Sequence, residues 1–183
     1  MTSTRDRLLQ AAHDVTEEGG YGAASVQAIA GRAGLAAGTL YRHFPSKAEL
    51  FVELFRAVCD REAEAMRAEG DIEAVLTTFA ERALRNPRLA WALIAEPVDP
   101  LVDAERLAYR RRYAEHIEAL LREGIDAGRL PEQDVHLTAA ALVGGVAEAL
   151  VGPLSPVGGA FDLAELRAFV RRAVGGAAAP ARA

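Results

Sequence analysis

The sequence predicts an all-α protein: a three-helix N-terminal module joined by a long helix to a larger helical domain, about nine helices in all. Three observations carry that reading. Apolar residues recur at helical spacing almost throughout, glycines and prolines fall between the periodic segments, and no run reads as a strand. Of 183 residues, 51% are hydrophobic and 26% charged, a globular composition far from that of disordered chains.

The elements follow in order. Ser3 and Asp6 stand at capping-box spacing, Leu8, Ala11, Ala12 and Val15 repeat at i, i+3, i+4 and i+7, and Gly19-Gly20 supplies a stop. Ser25 is placed as the N-cap of a short second helix with Val26, Ile29, Ala30 and Ala33 on its apolar side, and Gly34 lies just past its end. A third short helix, 36–44, turns Leu40 and Phe44 inward before Pro45 ends it. Two short helices around a brief turn containing Gly34 form a helix-turn-helix.

Ser46 and Glu49 make a second capping box, opening a fourth helix over 47–69 with Leu50, Phe51, Leu54, Phe55 and Val58 along one stripe toward Met66. At 1.5 Å per residue it is on the order of 35 Å long, enough to bridge two modules, and Gly70 breaks it. Further helices are expected over 72–84, 87–95, 103–124, 134–150 and 162–174, with EPVDP and VGPLSPVGG as the main loops. The tail, 177–183, is expected to be disordered.

Bulk properties exclude several classes. A single cysteine, Cys59, permits no intramolecular disulfide. The first ten residues lack the apolar stretch of a signal peptide, so a cytoplasmic location is expected. The longest apolar run, 137–147, falls well short of the roughly 20 residues that span a bilayer, so no membrane partner is expected. The formal net charge is −5, which argues against a wholly basic surface. Yet no Asp or Glu occurs between Glu18 and Glu49, a gap that holds Arg32, Arg42, His43 and Lys47.

Catalytic and metal constellations are missing from the sequence. His13, His43, His116 and His136 have no Glu three residues before them, as di-iron helical bundles require. There is no CxxC, HExxH, P-loop, dinucleotide glycine fingerprint or nucleophile elbow. No enzyme activity, metal or cofactor is therefore expected.

The stretch SVQAIAGRAGLAAGTLYRHFPSKAELF, residues 25–51, resembles the N-terminal DNA-binding segment of the TetR family of bacterial transcriptional regulators. The match lies in an Ile-Ala-x-x-Ala-Gly helix, Gly-Thr-Leu-Tyr, a following His-Phe and then Lys-x-x-Leu. It covers roughly the first quarter of the chain. The resemblance implies a DNA-binding domain over 1–47, a helical effector-binding and dimerisation domain over 48–176, and a double-stranded DNA operator as partner.

The residues suit that role. A recognition helix enters the major groove by its N-terminal end, where Ala36, Ala37 and Gly38 are small enough to let it approach. Thr39, Tyr41 and His43 can reach phosphates, and Tyr41 can also cover a thymine methyl. Lys47, the only lysine, falls in the first turn of the fourth helix, where free backbone N–H groups already favour an anion. Ser25 and Gln27 supply a second backbone contact. Ala36 departs from the family, which often has a capping Ser or Thr there, and this leaves Gln27 and Arg42 as the candidates for base specificity. Tyr41 also reads as a packing aromatic, and Arg42 and His43 as a solvated face.

In the remainder, the Ala- and Gly-rich segment 135–152 allows close helix approach, and with the Leu163, Leu166 and Val170 face of the last helix it reads either as a homodimer interface or as a buried intramolecular helix. Tyr109, Tyr113, His116 and Leu120 share one face of the seventh helix, with Phe79 and Trp91 on neighbouring helices. Apolar walls with a few polar tips describe a small-molecule effector pocket, and equally a core whose hydroxyls are satisfied. The predicted function is a ligand-released, homodimeric repressor on a palindromic operator. The alternative is a helical ligand-binding or interaction protein without specific DNA binding.

Overall fold

A computed structural model describes residues 3–151 and 161–175, among which the chain is all-α with no strand. The helices are α1 (Thr4–Ala23), α2 (Val26–Arg32), α3 (Ala37–His43), α4 (Lys47–Arg67), α5 (Ile72–Arg85), α6 (Pro87–Ile94), α7 (Pro100–Asp126), α8 (Val135–Val151) and α9 (Leu163–Ala173). The expected tail, 177–183, and most of the VGPLSPVGG loop lie outside the described residues.

The described residues fall into two compact units, one of residues up to 61 with 86–109, the other of 62–85 with the described residues from 110 onward. This division of packing differs from the division of roles expected at residue 47, because α6 packs on α1 and joins the first unit together with much of α4.

In the first unit the capping signals act as the sequence implies. Ser3 and Asp6 form a full capping box on α1, and the Ser25 hydroxyl accepts from the Ala28 N–H at 3.1 Å. At the end of α2 the Leu35 N–H donates to the Ala30 carbonyl and the Gly34 N–H to that of Gly31, a Schellman closure that places Gly34 at φ 67°. The stop expected at Gly19-Gly20 is a break inside α1: Gly20 takes φ 82° and ψ −178°, and one further turn follows. Arg7 on α1 donates to the Ala33 carbonyl at 2.6 Å, tying α1 to the end of α2. Leu8, Ala12, Ile29, Ala30, Leu40 and Phe44 are all at 1% exposure or less.

The start of α7 is a correction. It begins at Pro100, three residues before the expected Asp103, because the Asp99 carboxylate accepts the Leu101 N–H at 2.9 Å and Pro100 is pre-set for a first helical position.

In the second unit Val75, Ile117, Leu121, Ala139, Leu142 and Val146 form the centre of the core. Leu166 and Val170 belong to the same core, at 6% and 1% exposure. The α9 face that the sequence offered for dimer contact is thus spent inside the chain, where α9 packs on α5 and Arg171 pairs with Glu73 at 2.8 Å.

Candidate nucleic-acid interface

The helix-turn-helix is held from within. Leu40 and Phe44 are at 0% and 1% exposure, and the Arg5 guanidinium lies 4.9 Å from the Phe44 ring centroid. A seven-residue helix such as α3 is far too short to persist alone. Its side chains are therefore displayed by packing and not by intrinsic helix stability.

On the outer surface, Ser25 and Gln27 of the second helix region are exposed, as are Ala36, Gly38, Tyr41, Arg42 and His43; Ala37 and Thr39 are half-buried. Tyr41 is 59% exposed. Among the described residues, the side chains of Tyr41, Arg42 and His43 make no hydrogen bond or ion pair within the chain. Ala36 caps α3 without a side-chain hydrogen bond, as its missing hydroxyl requires. A Cβ built on Gly38 meets nothing within 4 Å. Its backbone is not in the left-handed region either, so neither internal packing nor conformation calls for glycine there.

Two cations of the acid-free segment are engaged internally. Arg32 holds Glu18 through both guanidinium nitrogens, at 2.9 and 2.6 Å, and the hydrogen bond from Arg32 keeps the Glu18 carboxyl below its usual range. Lys47, expected to offer its amine to a phosphate, donates instead to the Tyr21 carbonyl at 3.2 Å, with the amine 4.1 Å from the Tyr21 and 5.4 Å from the Phe51 ring centroids. The reason is local. The break at Gly20 leaves the Tyr21 carbonyl within reach, and two aromatic faces attract the cation. Burial lowers the Lys47 pKa, opposed by the charge of Glu96.

Residues 8–54 match the bacterial regulatory proteins of the tetR family. The N-terminal module is that of the tetR family. The tetR match ends inside α4, eight residues into that helix. Over 145 residues the chain is 32% identical to the HTH-type transcriptional repressor KstR of Mycobacterium tuberculosis, covering 73% of this chain and 63% of the repressor. The chain spans less than two thirds of the length of the KstR repressors it matches. Among solved structures, it resembles the TetR family transcriptional regulator PfmR of Thermus thermophilus with a TM-score of 0.69 at 26% identity, over 97% of this chain and 98% of that one. It also shares the fold of the fatty acid degradation regulator FadR of Bacillus halodurans, with a TM-score of 0.75 at 24% identity over 96% of each chain. The tetR-type regulators and the all-α architecture thus extend the likeness beyond the module that the sequence motif covers.

The five residues expected at an effector site fall in different units. Trp91 and Tyr109 belong to the first unit, Phe79, Tyr113 and His116 to the second. Tyr109 is 4% exposed; its hydroxyl donates to Asp60 Oδ1 at 2.6 Å, and its ring meets Phe55 edge-on at 5.6 Å, the arrangement of a satisfied core tyrosine. Phe79 and Tyr113 are brought together, with ring centroids 6.3 Å apart. His116 Nε2 is buried and has no hydrogen-bond partner among the described residues. An open acidic depression in the second unit, lined by Glu69, Asp71, Glu73, Glu81 and Arg167, includes none of the five.

His13, Asp14 and Glu17 on α1 bring three metal-capable atoms within 4.8 Å of one another. Both carboxylates already have partners in the chain, Asp14 with Gln10 and Glu17 with Asn86. No helix of the described residues is long and apolar enough to cross a membrane.

Sequence reasoning missed Glu96, which contacts the end of α1 from 74 and 75 positions away. Its position in the EPVDP loop gave no periodic signal. A buried acid beside a loop proline is legible only once α6 is placed on α1.

Proposed function

We propose that the chain is a homodimeric, ligand-responsive transcriptional repressor that binds a palindromic DNA operator. The observation that carries the reading is the outer face of α3. Tyr41, Arg42 and His43 stand exposed without internal partners beside a glycine that the fold does not need, and all are fixed by a buried Leu40 and Phe44. Such a face suits a surface that approaches closely from outside: Gly38 with Ala36 and Ala37 at the groove, Thr39, Tyr41 and His43 at phosphates, and Gln27 and Arg42 at base edges. Ser25 adds a backbone contact at the start of α2. Lys47 contributes charge nearby, and its amine must leave the Tyr21 carbonyl to reach a phosphate.

The dimer forms through the outer sides of α8 and α9. Leu137 is 66% and Phe169 44% exposed, and Ala140, Ala141 and Gly145 continue the α8 side as a smooth surface. Dimerisation places two helix-turn-helix units on half-sites about one helical turn apart. The effector contacts Phe79, Tyr113 and His116, where a buried unpartnered imidazole nitrogen favours a polar group on an otherwise apolar ligand.

The test is selection of fragments from genomic DNA by the full chain, followed by competition of the enriched duplex against random duplex. Enrichment of one palindromic sequence supports the reading, and recovery of unrelated fragments refutes it. For the effector half, compounds that release the selected duplex are expected to lose that effect in Phe79→Ala and in Tyr113→Ala, and release retained in both variants moves the effector away from these residues.

A further inference from the structure

Among the described residues Glu96 is the one buried charged side chain, at 7% exposure. It stands two residues past the end of α6. Its Oε2 accepts the Tyr21 N–H at 2.7 Å and its Oε1 the Gly22 N–H at 2.9 Å. These are backbone groups freed by the break at Gly20, and the fit is close: a Cβ on Gly20 would lie 2.8 Å from Oε2, besides being strained at φ 82°.

The carboxylate is held at both ends. Behind it, Arg106 of α7 donates to the carbonyls of Leu93 at 2.9 Å, Ala92 at 3.3 Å and Glu96 itself at 2.9 Å, fixing the turn that carries the side chain. Ahead of it, the Tyr21 carbonyl receives the Lys47 amine, and the Tyr21 ring packs edge-on against Phe51 at 4.5 Å. Only Ala23 and Ala24 separate Gly22 from Ser25, the cap of α2. The arrangement therefore runs from the end of α6 to the end of α1, and from there to the starts of both α2 and α4.

We propose that Glu96 is a positioning residue for DNA binding, fixing the end of α1 so that the pose of α2 and α3 depends on the C-terminal end of α6. The inference rests on the DNA-binding reading above. A buried carboxylate is a weak source of stability compared with well-packed apolar residues, and its use lies in selecting one arrangement of the groups it bonds. Here those groups are backbone N–H donors, so the selected arrangement is that of the chain entering the helix-turn-helix.

The experiment measures affinity of the full chain for a duplex of about 30 base pairs, three turns of B-form DNA, enriched by the wild-type protein from a random-sequence library. Glu96→Gln keeps one acceptor and loses the charge. It is expected to weaken binding about ten-fold, while the slope of affinity against salt stays as in wild type. Val75→Ala, a core truncation in the second unit, is expected to lower the thermal midpoint without that loss of affinity.

Wild-type affinity in Glu96→Gln overturns the inference, as does an equal loss in Val75→Ala or a fall in the salt slope for Glu96→Gln. Failure of the wild-type protein to enrich any duplex overturns the DNA-binding reading itself, and the positioning role with it.

Discussion

Leu40 and Tyr41 are adjacent on α3 and lie at opposite extremes of accessibility, 0% against 59% exposed. One step of about 100° around a helix separates the two, so α3 has one side committed to the module and another open to solvent. A tyrosine so exposed contributes little to the fold.

Tyr41→Ala is accordingly expected to weaken operator binding several-fold, a loss of about 1 kcal/mol, with dimerisation and the thermal midpoint unchanged. Anisotropy titration at fixed salt, run beside sedimentation and calorimetry, checks all three. An unchanged affinity would remove Tyr41 from the interface, and a lowered midpoint would make it a packing residue.

Gly38 offers a sharper separation of fold from function. Because a Cβ there meets nothing within 4 Å, Gly38→Ala is expected to stabilise the protein, by up to about 1 kcal/mol. Gly38→Gln is expected to fold as well and to lose DNA binding by about ten-fold or more, since a long side chain holds the helix away from the groove. Retained affinity in Gly38→Gln would place the approach to DNA elsewhere on the module.

Much of this was legible in the sequence because the signals are local. Ser3 with Asp6, Ser25, Gly34 and Pro45 mark helix ends through contacts a few residues apart, and the structure uses each at the expected place. Leu40 and Phe44 declare the inward side of α3 by their spacing alone. What the sequence could not convey is which long-range partner a surface charge finds. Arg32 meets Glu18, and Lys47 turns to Tyr21 beneath Glu96, pairings that depend on how α1 is broken at Gly20 and where α6 lies. The same limit applies to α9: periodicity marks Leu166 and Val170 as buried without saying whether a second copy or α5 buries them.

The dimer contact is therefore expected on the opposite side of α9. Phe169→Arg and Gly145→Arg each place a charge on the exposed sides of α9 and α8, where neither disturbs the core of the second unit. Sedimentation equilibrium is expected to show a shift toward monomer with far-ultraviolet circular dichroism unchanged. A dimer that survives both substitutions must associate through another surface.

Glu118 gives a pH dependence with a definite sign. Its carboxyl is held below its ordinary value of 4.5 by hydrogen bonds to His136 and then to Arg122, against a smaller effect of burial. A group whose pKa is depressed by folding contributes stability above its unfolded value, and that contribution is lost as pH falls through the folded value. Wild type is thus expected to lose stability on acidification below about pH 4.5 more steeply than Glu118→Gln, and added salt is expected to narrow the difference. Urea unfolding across a range of about pH 3 to 6 measures it. Parallel curves for the two proteins would mean that the His136 and Arg122 contacts contribute nothing in solution.

Specific DNA binding by the α3 face is tested by the affinity of the full chain for its selected duplex between about 50 and 200 mM salt, alongside a random duplex of the same length. Log affinity is expected to fall linearly with log salt, with a slope of roughly −4 to −8 for two modules each contacting a few phosphates. The selected duplex is expected to be preferred about a thousand-fold or more. Equal affinity for both duplexes, or binding that ignores salt, would contradict specific binding by this face.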